Sequence, residues 1–137
     1  MHILDVNALV ALAWDSHVHH HVMRRWFRAN AARGWATCPI TESGFVRVSS
    51  NPKVLPHPIS VDVAREVLLG LRQAETHRFV PDDVSLVDDD VPAIAGHRQV
   101  TDVHLLVLAR RAEARLLTFD AGLAKLGGGD VTLLRAL

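Results

Sequence analysis

The sequence predicts one α/β domain built on a parallel sheet, and three observations carry that expectation. Short apolar runs alternate with segments of helical spacing along most of the chain. Near the end, Leu105, Leu108, Ala109 and Ala112 stand at i, i+3, i+4 and i+7 in a helix that feeds straight into the strand Arg115 to Thr118. A helix running into a strand is part of a right-handed crossover, which joins parallel strands. Acidic residues recur where strands give way to helices, the edge at which such sheets gather ligands. The 137 residues, 49% of them hydrophobic, suffice for one well-cored domain spanning 1–137 and argue against disorder.

The elements follow in order. His2 to Leu4 is a first strand ending at Asp5, and Asn7 to Trp14 is a helix with Leu9, Leu12 and Ala13 inward. A polar turn from Asp15 to His21 opens a second helix reaching Arg33, with Arg24, Arg25 and Arg28 on its solvent side, where phosphates or a partner protein can meet them. The run His17, His19, His20, His21 invites a metal reading. It lacks a carboxylate or cysteine partner at ligand spacing, so a solvated helix start accounts for it better. Trp35 to Pro39 is the second strand and Ile40 to Ser49 a helix with Glu42 in its first turn.

The segment 51–58 holds three prolines and reads as a loop or lid. Ser60 caps a helix running to Thr76, Arg78 to Val80 is a strand, and Asp82, Asp83, Asp88, Asp89 and Asp90 read as solvated acids of a turn-rich region. Val91 to Gly96 is expected as a helical turn, and Gly96 to Val100 as the loop delivering Thr101, the hydroxyl N-cap of the helix that Asp102 opens. After Asp120 come a brief helix, Ala121 to Leu126, a glycine turn, and a last strand from Val131 to Leu134. The glycine triplet opens no helix and so is no phosphate loop.

Composition removes several classes of function. Lys+Arg and Asp+Glu balance at 15 each, so no bulk positive field marks a nucleic-acid binder. The single Cys38 rules out an internal disulfide and reads as a buried structural thiol. The apolar start carries Asp5 and has neither a basic lead nor a small-residue cleavage site, and no run reaches the roughly eighteen apolar residues of a membrane span. The expectation is a soluble cytoplasmic protein with no membrane partner.

Asp5, Glu42, Asp102 and Asp120 thus converge on the carboxyl-end rim of the sheet. A pair of unit charges about 4 Å apart repels by on the order of 4 kcal/mol at an effective dielectric of about 20, so a cation is expected among them. Oxygen ligands without His or Cys select Mg²⁺, with Mn²⁺ as a substitute, over zinc. Such ions activate water and neutralise charge in phosphoryl transfer. Asn7, Thr101 and Thr118 add neutral groups suited to orienting these ligands.

Four segments in order, ILDVNALVAL, ITESGFVRVSSNP, VTDVHLLVLA and LLTFDAGL, carry a resemblance to the PIN-domain nucleases and, within them, to the VapC ribonuclease toxins of bacterial toxin-antitoxin pairs. The resemblance covers essentially the whole chain and keeps every acidic position. It implies a PIN-like α/β/α sandwich around a central parallel sheet, and an Mg²⁺-dependent endoribonuclease that forms a homodimer. It also implies a small VapB-type antitoxin that binds and blocks the active site. Asp5 and Asp102 are then expected as principal metal ligands and catalytic residues, completed by Glu42 and Asp120 directly or through water, and Arg47 matches an arginine common in the family, a candidate for RNA contact. Two other classes compete. A receiver-type phosphoacceptor also gathers acids at strand ends, but the paired N-terminal acid and the late lysine it needs are missing. A non-catalytic PIN-like RNA-binding or interaction module would have no use for the intact acids.

Overall fold

The computed structural model of the chain describes residues 1–57, 59–74 and 76–135. Pro58, the expected end of the lid, lies outside the described residues, as do Glu75, within the span expected to be helical, and Ala136 and Leu137 of the expected domain. Five strands, β1 (His2–Leu4), β2 (Trp35–Thr37), β3 (His77–Phe79), β4 (Arg115–Thr118) and β5 (Val131–Leu133), form one sheet in the order β3-β2-β1-β4-β5. Every pairing is parallel. Six helices connect and cover them: α1 (Val6–Ala13), α2 (His20–Asn30), α3 (Pro39–Ser49), α4 (Val61–Arg72), α5 (Val100–Arg111) and α6 (Ala121–Gly127).

Alternation along three-residue strands divides the core into two layers. Leu4, Trp35 and Leu117 face one side with residues of α1 to α4; Ile3, Ala36 and Leu116 face the other with residues of α5 and α6. The fold is therefore an α/β/α sandwich. The central strands β1, β2 and β4 are largely buried on both faces, whereas the edge strand β3 is mostly exposed and β5 half-buried.

Two close approaches set the helix positions. At Gly44, in α3, a Cβ would run into the Val6 side chain of α1, so the absence of a side chain lets the two helices meet. Gly127 likewise admits Val131 and Leu106. At the end of α5 the Ala114 amide reaches the Ala109 carbonyl at 2.9 Å and the Glu113 amide reaches the Arg110 carbonyl at 3.1 Å. This is the Schellman closure, and it holds Glu113 at φ 54, a conformation that glycine adopts without strain.

Three expectations change. Thr101 is not an N-cap: α5 begins at Val100, because a 3₁₀ turn over His97–Gln99 enters it with backbone already helical, and Gln99 caps it without a side-chain bond. Residues 91–96 form no helical turn; they contain Pro92, which lacks the amide such a turn uses. α4 ends at Arg72 rather than Thr76, since the chain must already reverse into β3. Ser60 does cap α4, its hydroxyl accepting the Val63 amide at 3.1 Å. Among the described residues no helix is long and apolar enough to cross a membrane.

Candidate active site

The centre of the sheet builds the site. Leu4 of β1 pairs with Leu117 of β4, so Asp5 leaves its strand beside Thr118. The buried Thr118 hydroxyl donates to Asp5 Oδ2 at 2.5 Å. Asp5 Oδ1 accepts the Ala8 amide at 2.8 Å, which makes the same residue the N-cap of α1. Thr118 Oγ1 also accepts the Asp120 amide at 2.9 Å, so one hydroxyl fixes two acidic segments. Asp120, in turn, caps α6: its Oδ1 accepts the Gly122 and Leu123 amides at 2.8 and 3.2 Å. Asp102 joins them from the first turn of α5.

The electrostatics show which acids share the site. Burial pushes the Asp5 carboxyl up to about 6; the Thr118 and Ala8 hydrogen bonds oppose the rise, and the charges of Asp102 and Asp120 add to it. Asp102 is raised as well, first by burial and then by Asp120. Among the described residues no basic side chain lies within 4.0 Å of any of the three carboxylates. The rim is thus short of positive charge.

A hard divalent cation fits that deficit. The donors are oxygens only, and magnesium retains several waters while taking one or two carboxylates, so it needs no closed cage of protein ligands. Among the described residues no three His, Cys, Asp or Glu side chains form such a cage.

Glu42 is held separately, at the exit of β2. Its Oε2 accepts the Thr37 hydroxyl at 2.6 Å and its Oε1 lies 3.4 Å from Arg72 Nη1. It is not among the charges that raise Asp5 or Asp102. The structure therefore brings Asp5, Asp102 and Asp120 together and gives Glu42 its own counter-ion one strand away. Because Thr37 donates to Glu42, it accepts from His77 Nε2, at 2.8 Å. Burial, then the nearby Arg72 charge, lowers His77 to about 4, which keeps its ring neutral near pH 7.

Thr37, Arg72 and His77 escaped the sequence reading. A signal for Thr37 was present, since β2 and β4 both end in a threonine with an acid shortly after, and in both the hydroxyl donates to a carboxylate. Asn7 and Thr101 are exposed on the rim and, among the described residues, bond to none of the acids. Arg47 is exposed on α3 and lines a cleft with Glu42, Ser43 and Arg65, away from the three-acid cluster.

Three histidines of the run make local contacts, while His21 is exposed: His20 Nδ1 pairs with the Ala11 carbonyl at 2.8 Å, His17 Nδ1 accepts the His19 amide at 3.0 Å, and the His19 ring stacks on Phe119. Cys38 is fully buried, as expected of a structural thiol.

A parallel sheet with this order and acids at its central exits already narrows the family, and the PIN-domain family model matches residues 2–129. The chain belongs to the PIN-domain family. Within it, the chain is similar to Ribonuclease VapC38 of Mycobacterium tuberculosis, with 70% identity over 122 residues that cover 89% of this chain and 86% of the relative. Ribonuclease VapC39 of the same organism is 47% identical over 125 residues, covering 89% and 90%, and Ribonuclease VapC44 is 42% identical over 125, covering 89% and 87%. All four rim acids of this PIN domain fall inside the span that the family model matches.

Proposed function

We propose that this PIN domain is a divalent-metal-dependent endoribonuclease, the toxin of a VapBC-type pair that a cognate VapB-type antitoxin neutralises. Mg²⁺ is its ion, with Mn²⁺ as a substitute, and it works in the cytoplasm as a homodimer. One observation carries the reading: the buried Asp5 carboxyl, at the centre of the sheet's carboxyl edge, lies in the field of Asp102 and Asp120 with no basic partner within 4.0 Å among the described residues. The relatives' ribonuclease names supply the chemistry, and the carboxyl-edge position supplies the access.

Asp5 and Asp102 would hold the ion, with Asp120 and Glu42 completing the site directly or through water. When bound, the ion supplies a water acidic enough to attack near neutral pH and offsets charge building on the RNA phosphate. Thr118 keeps Asp5 Oδ2 in place and shares a hydroxyl with the Asp120 backbone, so neither acid has to reorganise during the reaction. Thr37 does the same for Glu42.

The test incubates purified protein and its Asp5→Asn variant with total cellular RNA, with Mg²⁺ and with chelator, and maps new 5′ ends. Discrete cuts needing both the ion and Asp5 are expected, with a loss of at least about hundredfold in the variant. Wild-type cleavage by a variant of verified purity would overturn the assignment.

A further inference from the structure

The strongest charged feature outside the acid cluster is the outer face of α2. His21, Arg24, Arg25 and Arg28 stand at i, i+3, i+4 and i+7, one stripe along the helix, and all four are exposed. The opposite face carries Met23, Trp26 and Phe27 into the core. The helix, HHVMRRWFRAN, contains no acid. No carboxylate among the described residues comes within 4.0 Å of the three guanidinium groups. Arg65, Arg72, Arg110 and Arg111, by contrast, all meet carboxylates. The stripe lines two adjoining clefts, one with His21 and Ala29 and the other with Leu12 and Asp15.

Its position relates it to the rim. The start of α2 adjoins the active edge, because the His19 ring stacks at 4.5 Å on Phe119, the residue between Thr118 and Asp120. Trp26, further along, meets His2 at the opposite end of β1. The arginines therefore lead from the acidic rim down one flank. From His21 to Arg28 the helix rises about 10 Å, long enough for a strand to place more than one phosphate along it. Guanidinium forks suit phosphate oxygens bidentately.

We infer that the Arg24, Arg25 and Arg28 face is a backbone track for the single-stranded RNA substrate, binding phosphates on one side of the scissile bond. The inference rests on the ribonuclease reading for its occupant. It answers a difficulty that reading leaves: a rim of carboxylates repels a polyanion, and the chain's balanced charge offers no bulk attraction to offset it. A local arginine stripe whose guanidinium groups pair with no carboxylate among the described residues, on a helix whose start adjoins the rim, supplies that attraction without carrying sequence information.

The experiment measures binding of a fluorescein-labelled single-stranded RNA of about twenty nucleotides across a salt series, in chelator so that nothing is cut. Wild type is compared with Arg24→Gln/Arg25→Gln/Arg28→Gln, with the matching triple lysine variant, and with Arg110→Gln, which removes a charge already paired to Asp130. The glutamine triple is expected to flatten the slope of log K against log salt by about 2, since each phosphate contact on a single strand contributes roughly 0.7. Lysine should restore most of the slope, and Arg110→Gln should leave it unchanged.

A second arm, with Mg²⁺, follows cleavage. The glutamine triple should raise KM for long RNA about tenfold, leave kcat unchanged, and leave cleavage of a trinucleotide unaltered. A folded glutamine triple that binds long RNA with the wild-type salt slope overturns the track. So does one that keeps RNA binding and loses only an acidic protein partner. Were wild type to cut nothing, the ribonuclease reading would fail while the chelated arm still reported on the track.

Discussion

Asp5 has two jobs that pull against each other: it caps α1 and it brings an ionisable group to a place where two other acids already sit. Its folded-state value of about 6 lies above the ordinary carboxylate value of 3.8. A group raised in this way favours the fold fully below its unfolded value, and that contribution disappears as pH climbs through about 6. The metal-free protein should therefore gain stability on Asp5→Asn at pH 7, with a melting temperature higher by roughly 5 °C, and gain little at pH 4. Asparagine keeps an oxygen for the Ala8 amide, so the cap survives. Thermal melts in chelator at the two pH values check it; equal gains at both would disconnect the effect from ionisation. On the proposed assignment the same proton would govern activity, because only the ionised carboxyl can hold a cation. The rate at subsaturating Mg²⁺ should fall as pH drops through about 6, the fall moving to lower pH as Mg²⁺ is raised.

Glu113 offers the reverse case, a residue at odds with its backbone. Glycine at this left-handed position removes strain, so Glu113→Gly should stabilise the protein by about 1 kcal/mol in urea titration.

Among the elements, the contact between α1 and α3 is set by Gly44. Gly44→Ala presses a methyl against Val6, and overpacking of that kind costs about 1–3 kcal/mol. Because α1 carries Asp5 at its start and α3 carries Glu42 near its own, a shift between them also moves the rim. Chemical denaturation should show the loss of stability, and cleavage should fall by more than the folded fraction accounts for.

Helices and strands were legible here to the extent that each follows from local spacing. The run Leu105 to Ala112, the strand Arg115 to Thr118 and the Ser60 cap all appear where the pattern puts them. Thr101 misled because a hydroxyl before an apolar run looks the same whether the chain enters from a loop or from a 3₁₀ turn. The acids of 82–90 were legible as acids and not as partners: His104 meets Asp82 at 2.7 Å, and Arg111 joins Asp88 and Asp90 at 2.8 and 2.6 Å. Those bonds fasten the segment to α5. The pairing of Glu42 with Arg72 was hidden for the same reason, since its partner comes thirty residues later, on α4.

For the whole molecule, the unbalanced charge of the rim predicts linkage between ion binding and stability. At about a hundred times its dissociation constant a single bound ligand adds roughly 2.7 kcal/mol to the folded state. Saturating Mg²⁺ should therefore raise the melting temperature of wild type by several degrees and that of Asp102→Asn by much less. Calorimetry with and without chelator decides it, and an equal rise in both would locate the ion elsewhere. The convergence of the acids was visible in the sequence because a parallel sheet places every strand exit on one edge. Which of them share a field was not, because that depends on strand order: β1 lies between β2 and β4, and Asp5 leans toward Thr118 rather than Thr37.

That strand order has a consequence in time. β1 leaves the ribosome before the four other strands of the sheet and lies in the middle of it, and its partner β4 begins at Arg115. The hydroxyl that fixes Asp5 lies 113 positions downstream of it. Until β4 emerges, only the Ala8 amide of α1 can hold the Asp5 carboxylate, and its Oδ2 lacks the Thr118 hydroxyl. The grouping of the rim acids is thus completed only once β4 and Asp120 have emerged, so a binding partner waiting at the ribosome would meet the finished rim at the moment it first exists.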